Sequence, residues 1–324
     1  MNRFTRRGLL RSSAVAMGTL LAAHRNPWAP LFGATTATTG NRPNMAFPAA
    51  PRDRLAVASW PFRAEIDSDF NEYRDRLKPG IDLKDFAVKV RERFQVPGFE
   101  PLSTHFPSTE DRYLKSFREA IEKADVHVVN IPVDNSDSFY DPDPSVRKRA
   151  VQHCKKWLDI AVTVGSPSVR TSIADAKKAK PDVDLTAKTL RPLVEYGAAK
   201  NIVVNLENDD LVSEDAFFVT QVIEKVNHPY LHALPDFCNS MATGSSQFNY
   251  RAVTAMFEHA YCICHVKDSE VGDDGKVFRV SQKLTFDILK ASNFRGYCSM
   301  EWEGPENPYT GTERLIAASL EYLA

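Results

Sequence analysis

The fold of this chain can be inferred from NIVVNLEN at residues 201–208, a short apolar run that ends on side chains able to hold a metal ion. Three later stretches have the same form: LHALPDFCN at 231–239, YCICHVKD at 261–268 and YCSMEWEG at 297–304. Their candidate ligands are 29, 29 and 36 residues apart: Glu207, Asp236, His265 and Glu301. This spacing is about one strand plus one helix of an eight-fold β/α barrel, which takes roughly 250 residues. Because strand ends on one rim of such a barrel converge, these side chains are predicted to share one divalent ion.

Earlier strands complete a set of eight. We predict them at residues 55–60, 98–106, 126–133 and 166–172. Stretches with helical periodicity lie between the strands, and Ser145 is predicted to cap one of them. Strict alternation of strands and helices implies a parallel sheet. An open doubly wound sheet alternates in the same way, but eight units fit the length and no Gly-x-Gly-x-x-Gly follows the first strand. The predicted fold is therefore an α/β protein, a (β/α)8 TIM barrel.

The amino terminus is predicted to be an export signal. Arg6 and Arg7 precede an apolar stretch at residues 14–23, as in twin-arginine signals, and we assign the signal to residues 1–35. A membrane-spanning helix needs about 20 apolar residues, and the stretch at 14–23 is shorter than that, so no stable anchor is expected. Residues 36–52 are predicted to be a flexible leader and 53–324 the barrel. The expected location is the periplasm or the exterior, with the twin-arginine export machinery as a partner.

The charge distribution argues against nucleic-acid binding. Residues 1–50 hold six arginines and no acidic residue, so the remainder has 35 basic and 42 acidic residues, a formal charge of −7. Proteins that bind nucleic acid need basic surfaces to neutralise phosphates. The five cysteines are odd in number and lack the spacing of a zinc ribbon, so no disulfide framework is predicted.

The candidate ligands indicate a particular chemistry. Carboxylates with one imidazole suit Mn²⁺, Mg²⁺, Co²⁺ or Zn²⁺, and the absence of thiolate ligands argues against a structural zinc. An ion held in this way can keep positions open for two neighbouring oxygens of a carbonyl sugar. Polarising the carbonyl acidifies the adjacent C–H bond, and the ion then stabilises an enediolate.

The mature chain resembles the xylose isomerase-like TIM barrels, a group that includes sugar isomerases and epimerases, inosose dehydratases and hydroxypyruvate isomerases. The resemblance extends from Leu55 to the end and is carried by these motifs: Ala58-Ser-Trp-Pro-Phe-Arg63, Leu206-Glu-Asn208, Pro235-Asp236, His265-Val-Lys-Asp268 and Gly296-Tyr-Cys-Ser-Met-Glu-Trp-Glu-Gly304. The order Glu, Asp, His, Glu at strands five to eight is similar to the metal ligands of the family. The resemblance implies one divalent ion, with Mn²⁺ expected first, and Glu207 and Glu301 as the groups that remove and return a proton.

Other residues at the predicted rim are candidates for substrate contacts: Trp60, His105, Arg170, Asn208, Asn239 and Lys267. Each has a structural alternative, such as barrel packing for Trp60 or an ion pair for Arg170 and Lys267. Glu303 competes with Glu301 as the last ligand. The chain departs from the family pattern at Asn239, where related epimerases often have a histidine, and at residues 279–282.

Four functions compete at this stage. The first is a metal-dependent isomerase or epimerase for a carbohydrate, and the second is a lyase that eliminates a leaving group from a keto-sugar, an inosose or a 3-keto-glycoside. An apurinic endonuclease of the same barrel type needs more zinc ligands than the eight histidines allow. A non-catalytic carbohydrate-binding barrel is the fourth.

No phosphate-binding motif is visible in the sequence, so the expected substrate is a free sugar or a glycoside. Proteins of the family that the chain resembles often form homo-oligomers, so a homo-oligomer is expected.

Overall fold

The computed structural model describes residues 42–177, 179–209, 215–241, 244–272 and 275–324. Within these ranges the strands are β1 Leu55–Ala58, β2 Gly98–Glu100, β3 His127–Val128, β4 Ile131–Val133, β5 Ser168–Thr171, β6 Val203–Glu207, β7 Leu231–Leu234, β8 Ile263–Val266, β9 Ser269–Val271, β10 Val277–Arg279 and β11 Tyr297–Met300. The helices are α1 Leu83–Phe94, α2 Asp111–Lys123, α3 Pro144–Val164, α4 Val183–Ala198, α5 Ala216–Val226, α6 Ser246–Glu258, α7 Gln282–Ala291 and α8 Pro308–Leu323.

The parallel strands form a barrel. One sheet has the order β3-β2-β1-β11-β8, and the other has the order β4-β5-β6-β7. Parallel bridges between Ala233 and Ala260 and between Asp236 and His265 join the end of β7 to β8. On the opposite side, β3 and β4 are successive parts of residues 127–133, so this segment belongs to both sheets. The predicted TIM barrel is confirmed.

The burial pattern explains why these segments form barrel strands. Every residue of β1, β5, β6, β8 and β11 is buried, as expected for parallel strands covered on both faces. The helices are amphipathic, and each packs against the next one along the chain. The predicted cap Ser145 is wrong: Pro144 opens α3, and the Asp143 side chain accepts the N–H of Ser145.

Two predicted strands are shorter in the structure. The second ends at Glu100, and a 3-10 turn at Ser103–His105 follows it. The third is interrupted after Val128, and the Asn130 side chain enters a buried polar network. A short hairpin follows His265, in which β9 and β10 pair in antiparallel fashion.

The described part of the predicted leader contacts the barrel. The N–H of Asn44 donates to Asn201 Oδ1 at 3.0 Å, and Phe47 packs edge-on against Tyr261 and Tyr297 with ring centroids 5.3 and 5.8 Å away. Tyr261 and Tyr297 lie at the amino-terminal ends of strands, so residues 42–52 cover the face opposite the strand ends that carry the ligands. Residues 42–52 of the predicted leader thus have defined contacts, and residues 36–41 lie outside the described residues. The predicted signal, residues 1–35, lies outside the described residues.

No helix in the described ranges combines the length and the apolar character that are needed to cross a bilayer.

Candidate metal centre

The predicted ligands converge in the structure. Glu207 ends β6, Asp236 follows β7, His265 lies in β8 and Glu301 follows β11. Within the described part of the chain, these buried side chains place one ligand atom each so that all the atoms lie within 4.8 Å of one another. The barrel closure brings these positions together, since Asp236 and His265 are paired in register and Ser299 is paired with His265. The buried cluster could hold one metal ion.

The hydrogen bonding of Asp236 fits an ion. Its Oδ1 atom accepts the N–H groups of Cys238 and Asn239 at 2.7 and 2.6 Å, which fixes the carboxylate. Its Oδ2 atom is buried and has no hydrogen-bond partner among the described residues, although Lys267 Nζ lies 3.9 Å away. Leaving a buried carboxylate oxygen unsatisfied is unfavourable, and a cation would satisfy it. The residues present therefore fit a divalent ion.

His265 is held between carboxylates. Its Nδ1 atom lies 2.7 Å from Glu207 Oε1 and 3.1 Å from Glu301 Oε2, while its Nε2 atom lies 3.0 Å from both oxygens of Glu100. Burial acts to lower the pKa of His265, but the carboxylates of Glu100, Glu207 and Glu301 raise this pKa well above its usual range. The centre thus favours positive charge.

The carboxylates differ in how readily they ionise. Burial raises the pKa of Glu207 to about 7 and that of Asp236 to about 6, despite nearby cationic side chains. Burial also opposes ionisation of Glu301, but His265 and Lys267 hold the pKa of Glu301 well below its ordinary value. The acidic centre is therefore not symmetric: Glu301 is the more firmly ionised glutamate.

Arg170 is paired with carboxylates. Its Nε atom lies 2.6 Å from Glu207 Oε2, its Nη1 atom 3.2 Å from Asp134 Oδ1 and its Nη2 atom 3.3 Å from Asp209 Oδ2. The guanidinium is buried, so these ion pairs balance its charge. The structure thus shows the ion-pair alternative for Arg170, with Glu207 as one partner.

Lys267 connects the centre to a second acidic group. Its Nζ atom donates to Asn239 Oδ1 at 2.8 Å and to Glu270 Oε2 at 2.9 Å, and lies 3.2 Å from Glu301 Oε2. Glu303 Oε2 lies 3.5 Å away. Lys267 and Asn239 therefore lie beside the candidate ligands, where they contact each other, and their predicted role in substrate binding stays a prediction.

The competing ligand Glu303 is not in the converging group. It accepts a hydrogen bond from Trp60 Nε1 and lies 3.7 Å from an Arg63 nitrogen. The Arg63 guanidinium also stacks 4.2 Å over the Trp60 ring, and Tyr73 packs edge-on against that ring. One face of Trp60 is therefore covered by protein, which limits the room for a stacked sugar.

Asn208 is used differently from the prediction. Its Oδ1 atom accepts the N–H of Asp236 at 2.8 Å, and its Nδ2 atom donates to the Asp236 carbonyl and to Ser240 Oγ. Both ends of the amide thus bond to protein, so Asn208 fixes the ligand-bearing segment instead of presenting a free group to a substrate.

His105 is buried in the 3-10 turn after β2. Its Nδ1 atom lies 2.8 Å from Ser59 Oγ, and that oxygen already accepts the N–H of Leu102. Donation of the Ser59 hydroxyl proton to Nδ1 leaves the ring proton on Nε2, which has no partner among the described residues. Burial, assisted by Arg63, lowers the pKa of His105 to about 3, so the ring is neutral.

The family follows from a comparison with known sequences. Residues 92–324 match the family described as xylose isomerase-like TIM barrel. The chain belongs to the xylose isomerase-like TIM barrel family. The predicted family is therefore confirmed. Among proteins with curated functions, no sequence matches this chain significantly.

Several solved structures have the same fold. D-allulose 3-epimerase from Methylomonas sp., in complex with D-allulose, is 14% identical with a TM-score of 0.62, over 86% of this chain and 98% of that one. The probable 3-DHS dehydratase from Bacillus anthracis is 14% identical with a TM-score of 0.60, over 81% and 97%. A xylose isomerase-like TIM barrel protein from Mycobacterium smegmatis, in complex with magnesium, is 16% identical with a TM-score of 0.60, over 83% and 97%. At these identities the likeness shows the fold.

Sequence reasoning missed several charged residues of this xylose isomerase-like barrel. Glu100 contacts His265, Asp134 and Asp209 contact Arg170, and Glu270 contacts Lys267. Glu100 carried a usable signal, because a charged residue at the end of the apolar strand Gly98–Glu100 must find a buried partner. Asp134 and Asp209 lie in loops, where acidic residues are common, and Glu270 lies in the short hairpin strand β9.

Proposed function

We propose that this protein is a divalent-metal-dependent sugar isomerase or epimerase. The proposal rests on the convergence of the buried side chains of Glu207, Asp236, His265 and Glu301, whose ligand atoms lie within 4.8 Å of one another. Their oxygen and nitrogen donors suit Mn²⁺, which we propose as the ion, with Mg²⁺, Co²⁺ and Zn²⁺ as alternatives. A divalent ion bound there supplies a Lewis acid that polarises a substrate carbonyl and acidifies the neighbouring C–H bond.

Glu207 and Glu301 are the groups that we propose to remove and return the proton. Both carboxylates approach His265 Nδ1, at 2.7 and 3.1 Å, so they face the same small volume. Removing a proton next to a carbonyl gives an enediolate. If the proton returns to the opposite face of the carbon that lost it, the product is an epimer. If the proton is instead delivered to the former carbonyl carbon, the product is an isomer.

The proposed substrate is an uncharged carbohydrate. Arg170 and Lys267, the cationic side chains next to the candidate ligands, are already paired with carboxylates. The surrounding acidic side chains would repel a phosphate or carboxylate group on a substrate. An epimerase of the same fold binds D-allulose, which supports a free sugar.

A lyase is the second candidate, and the unequal pairing of the glutamates favours it. Epimerisation needs a proton-transfer group on each face of the substrate. Glu207 is the more tightly paired glutamate, because Arg170 Nε lies 2.6 Å from Glu207 Oε2, while Lys267 Nζ lies 3.2 Å from Glu301 Oε2. The close ion pair makes Glu207 less available for proton transfer. Elimination needs one base and one acid. Glu301 would take the C–H proton, the C–O bond would break as the C=C bond forms, and Lys267 would protonate the leaving oxygen. A dehydratase shares this fold.

Deuterium exchange tests the proposal. Protein purified without chelator is expected to hold about one divalent ion per chain. It is then incubated in D₂O with a panel of ketoses and 3-keto-glycosides, and the products are followed by NMR. Deuterium on the carbon next to the carbonyl without loss of a fragment supports the isomerase or epimerase, and an unsaturated product or a released alcohol supports the lyase. Protein that binds no divalent ion even when Mn²⁺ is supplied, and that gives neither product with any compound, would contradict both.

We also propose that the protein is exported by the twin-arginine route to the periplasm or the exterior, on the basis of residues 1–35. Replacing Arg6 and Arg7 with lysine is expected to leave the full-length precursor in the cytoplasm, which cell fractionation measures. Export of the double variant at the wild-type level would refute this route.

A further inference from the structure

Glu100 is a buried acid outside the four candidate ligands. It is the last residue of β2, and none of its surface is exposed to solvent. Both of its carboxylate oxygens lie 3.0 Å from His265 Nε2, and Oε1 also accepts a hydrogen bond from Asn130 Nδ2 at 2.8 Å. A fully buried carboxylate is expensive unless it is paired and hydrogen-bonded, so this arrangement needs an explanation.

The contact determines how the imidazole of His265 is oriented. Glu100 can only accept hydrogen bonds when it is ionised, so Nε2 must carry the proton that points to it. The other nitrogen, Nδ1, faces Glu207 Oε1 at 2.7 Å and Glu301 Oε2 at 3.1 Å, in the converging group, where it too can donate to a carboxylate. An ion held by this group would take the place of the Nδ1 proton, whereas the Nε2 proton would stay on its bond to Glu100. A histidine ligates a metal through the nitrogen that has no proton, and the partner of the other nitrogen fixes which one that is.

The position of Glu100 is itself fixed by a buried network. Asn130 Oδ1 accepts hydrogen bonds from Ser168 Oγ at 2.7 Å and from Asn205 Nδ2 at 3.4 Å. These contacts identify the oxygen of the Asn130 amide and leave its nitrogen to donate to Glu100. The network joins four neighbouring parts of the barrel, all of them buried, so the carboxylate has little freedom to move.

We propose that Glu100 is a positioning residue that holds His265 with Nδ1 directed at the metal ion, and thereby sets the affinity of the centre for that ion. This inference rests on the proposed metal centre. Loss of such an outer partner typically weakens metal binding 10- to 100-fold. Glu100 is not among the ligands predicted from the sequence, so this role is additional to that prediction.

The test is a Mn²⁺ titration in which electron paramagnetic resonance measures the free ion. Glu100→Gln keeps the shape of the side chain and removes its charge, and Glu100→Ala removes the contact. We expect both to weaken Mn²⁺ binding by about 10- to 100-fold. The control is Thr186→Val, which removes a partly buried hydrogen bond to the Asp182 carbonyl at the start of α4, away from the centre. It should lower the thermal midpoint of the metal-free protein and leave the Kd for Mn²⁺ unchanged.

The outcomes separate this inference from the proposed function. A wild-type Kd in Glu100→Gln, with binding lost in His265→Ala, would overturn the role of Glu100 and leave the metal centre in place. Failure of the wild-type protein to bind Mn²⁺ would overturn the centre itself. If Glu100→Ala does not fold, Glu100→Gln and Asn130→Ala decide the question. Asn130→Ala should also weaken binding, because the carboxylate loses its fixed partner.

Discussion

Two buried cations organise the side chains around the centre. Arg170 contacts Glu207 and Lys267 contacts Glu301, so each proposed acid–base residue has a cationic partner. Arg170 presents a planar guanidinium to Glu207, whereas Lys267 presents a single ammonium group, whose pKa the surrounding carboxylates raise well above its usual range despite burial. The two glutamates therefore have different surroundings, which determines how each can act on a substrate.

Glu301 and Glu303 provide a matched pair for mutation. Both contact Lys267, but only Glu301 belongs to the converging ligands. Glu301→Gln is expected to lower the rate of deuterium exchange by about 10²- to 10⁴-fold, the usual contribution of a general base. Glu303→Gln should keep Mn²⁺ binding and lose much less exchange, as NMR of the substrate would measure. Equal losses in the two variants would contradict the assignment of Glu301.

His105 predicts an acid-sensitive fold. Burial lowers its pKa in the folded protein to about 3, against 6.5 for an unperturbed histidine. The unfolded chain therefore binds this proton first, so the stability from neutral His105 is present above pH 6.5 and is lost as the pH falls towards 3. At pH 4.5 the loss is about 3 kcal/mol. Urea denaturation across this range should show a smaller acid loss in His105→Gln than in wild type, and equal losses would rule out the effect.

Individual side chains were predictable where chain order limits the choice. Glu207, Asp236, His265 and Glu301 stand at strand ends, and strand ends of a closed barrel converge. Asn208 and Glu100 form hydrogen bonds to Asp236 and His265, which lie in or directly after other strands. No local sequence pattern indicates these partners. Glu207 was predicted as a ligand from its place at a strand end, but its contact with Arg170 could be identified only from the structure.

At the scale of elements, residues 42–52 act as a cover for the amino-terminal face of the barrel. Asn44 bonds to Asn201, and Phe47 packs on aromatic rings that stand at the starts of strands. Composition alone suggested a flexible leader, because this segment is rich in Pro and Ala and has no periodicity. Its order comes from contacts with residues more than 150 positions later, which a local pattern does not contain.

Phe47 offers a test of this cover. Phe47→Ala removes edge-on contacts with Tyr261 and Tyr297 and is expected to lower the free energy of unfolding by about 2 kcal/mol, less than for a fully buried phenylalanine. Phe70→Ala, at a side chain that is 64% exposed, is the control and should change stability little. Urea denaturation measures both. The cover would be unimportant if Phe47→Ala were as stable as Phe70→Ala, and exchange activity should be unaffected because this face is remote from the ligands.

For the whole molecule, barrel closure is what brings the candidate metal ligands together from distant parts of the chain. The ligands come from segments between 207 and 301, yet their donor atoms lie within 4.8 Å because the joint between β7 and β8 closes the ring. The alternation of strands and helices predicted this fold, and the buried strands explain it. The exact strand ends could not be predicted, since short turns such as Ser103–His105 depend on tertiary contacts.

The most direct test of the account is anomalous diffraction at the manganese edge from crystals grown with Mn²⁺. We predict one strong peak, about 2.0–2.3 Å from a donor atom of each of Glu207, Asp236, His265 and Glu301. No peak there, or a peak bound by other residues, would contradict the central claim that these side chains hold one shared ion.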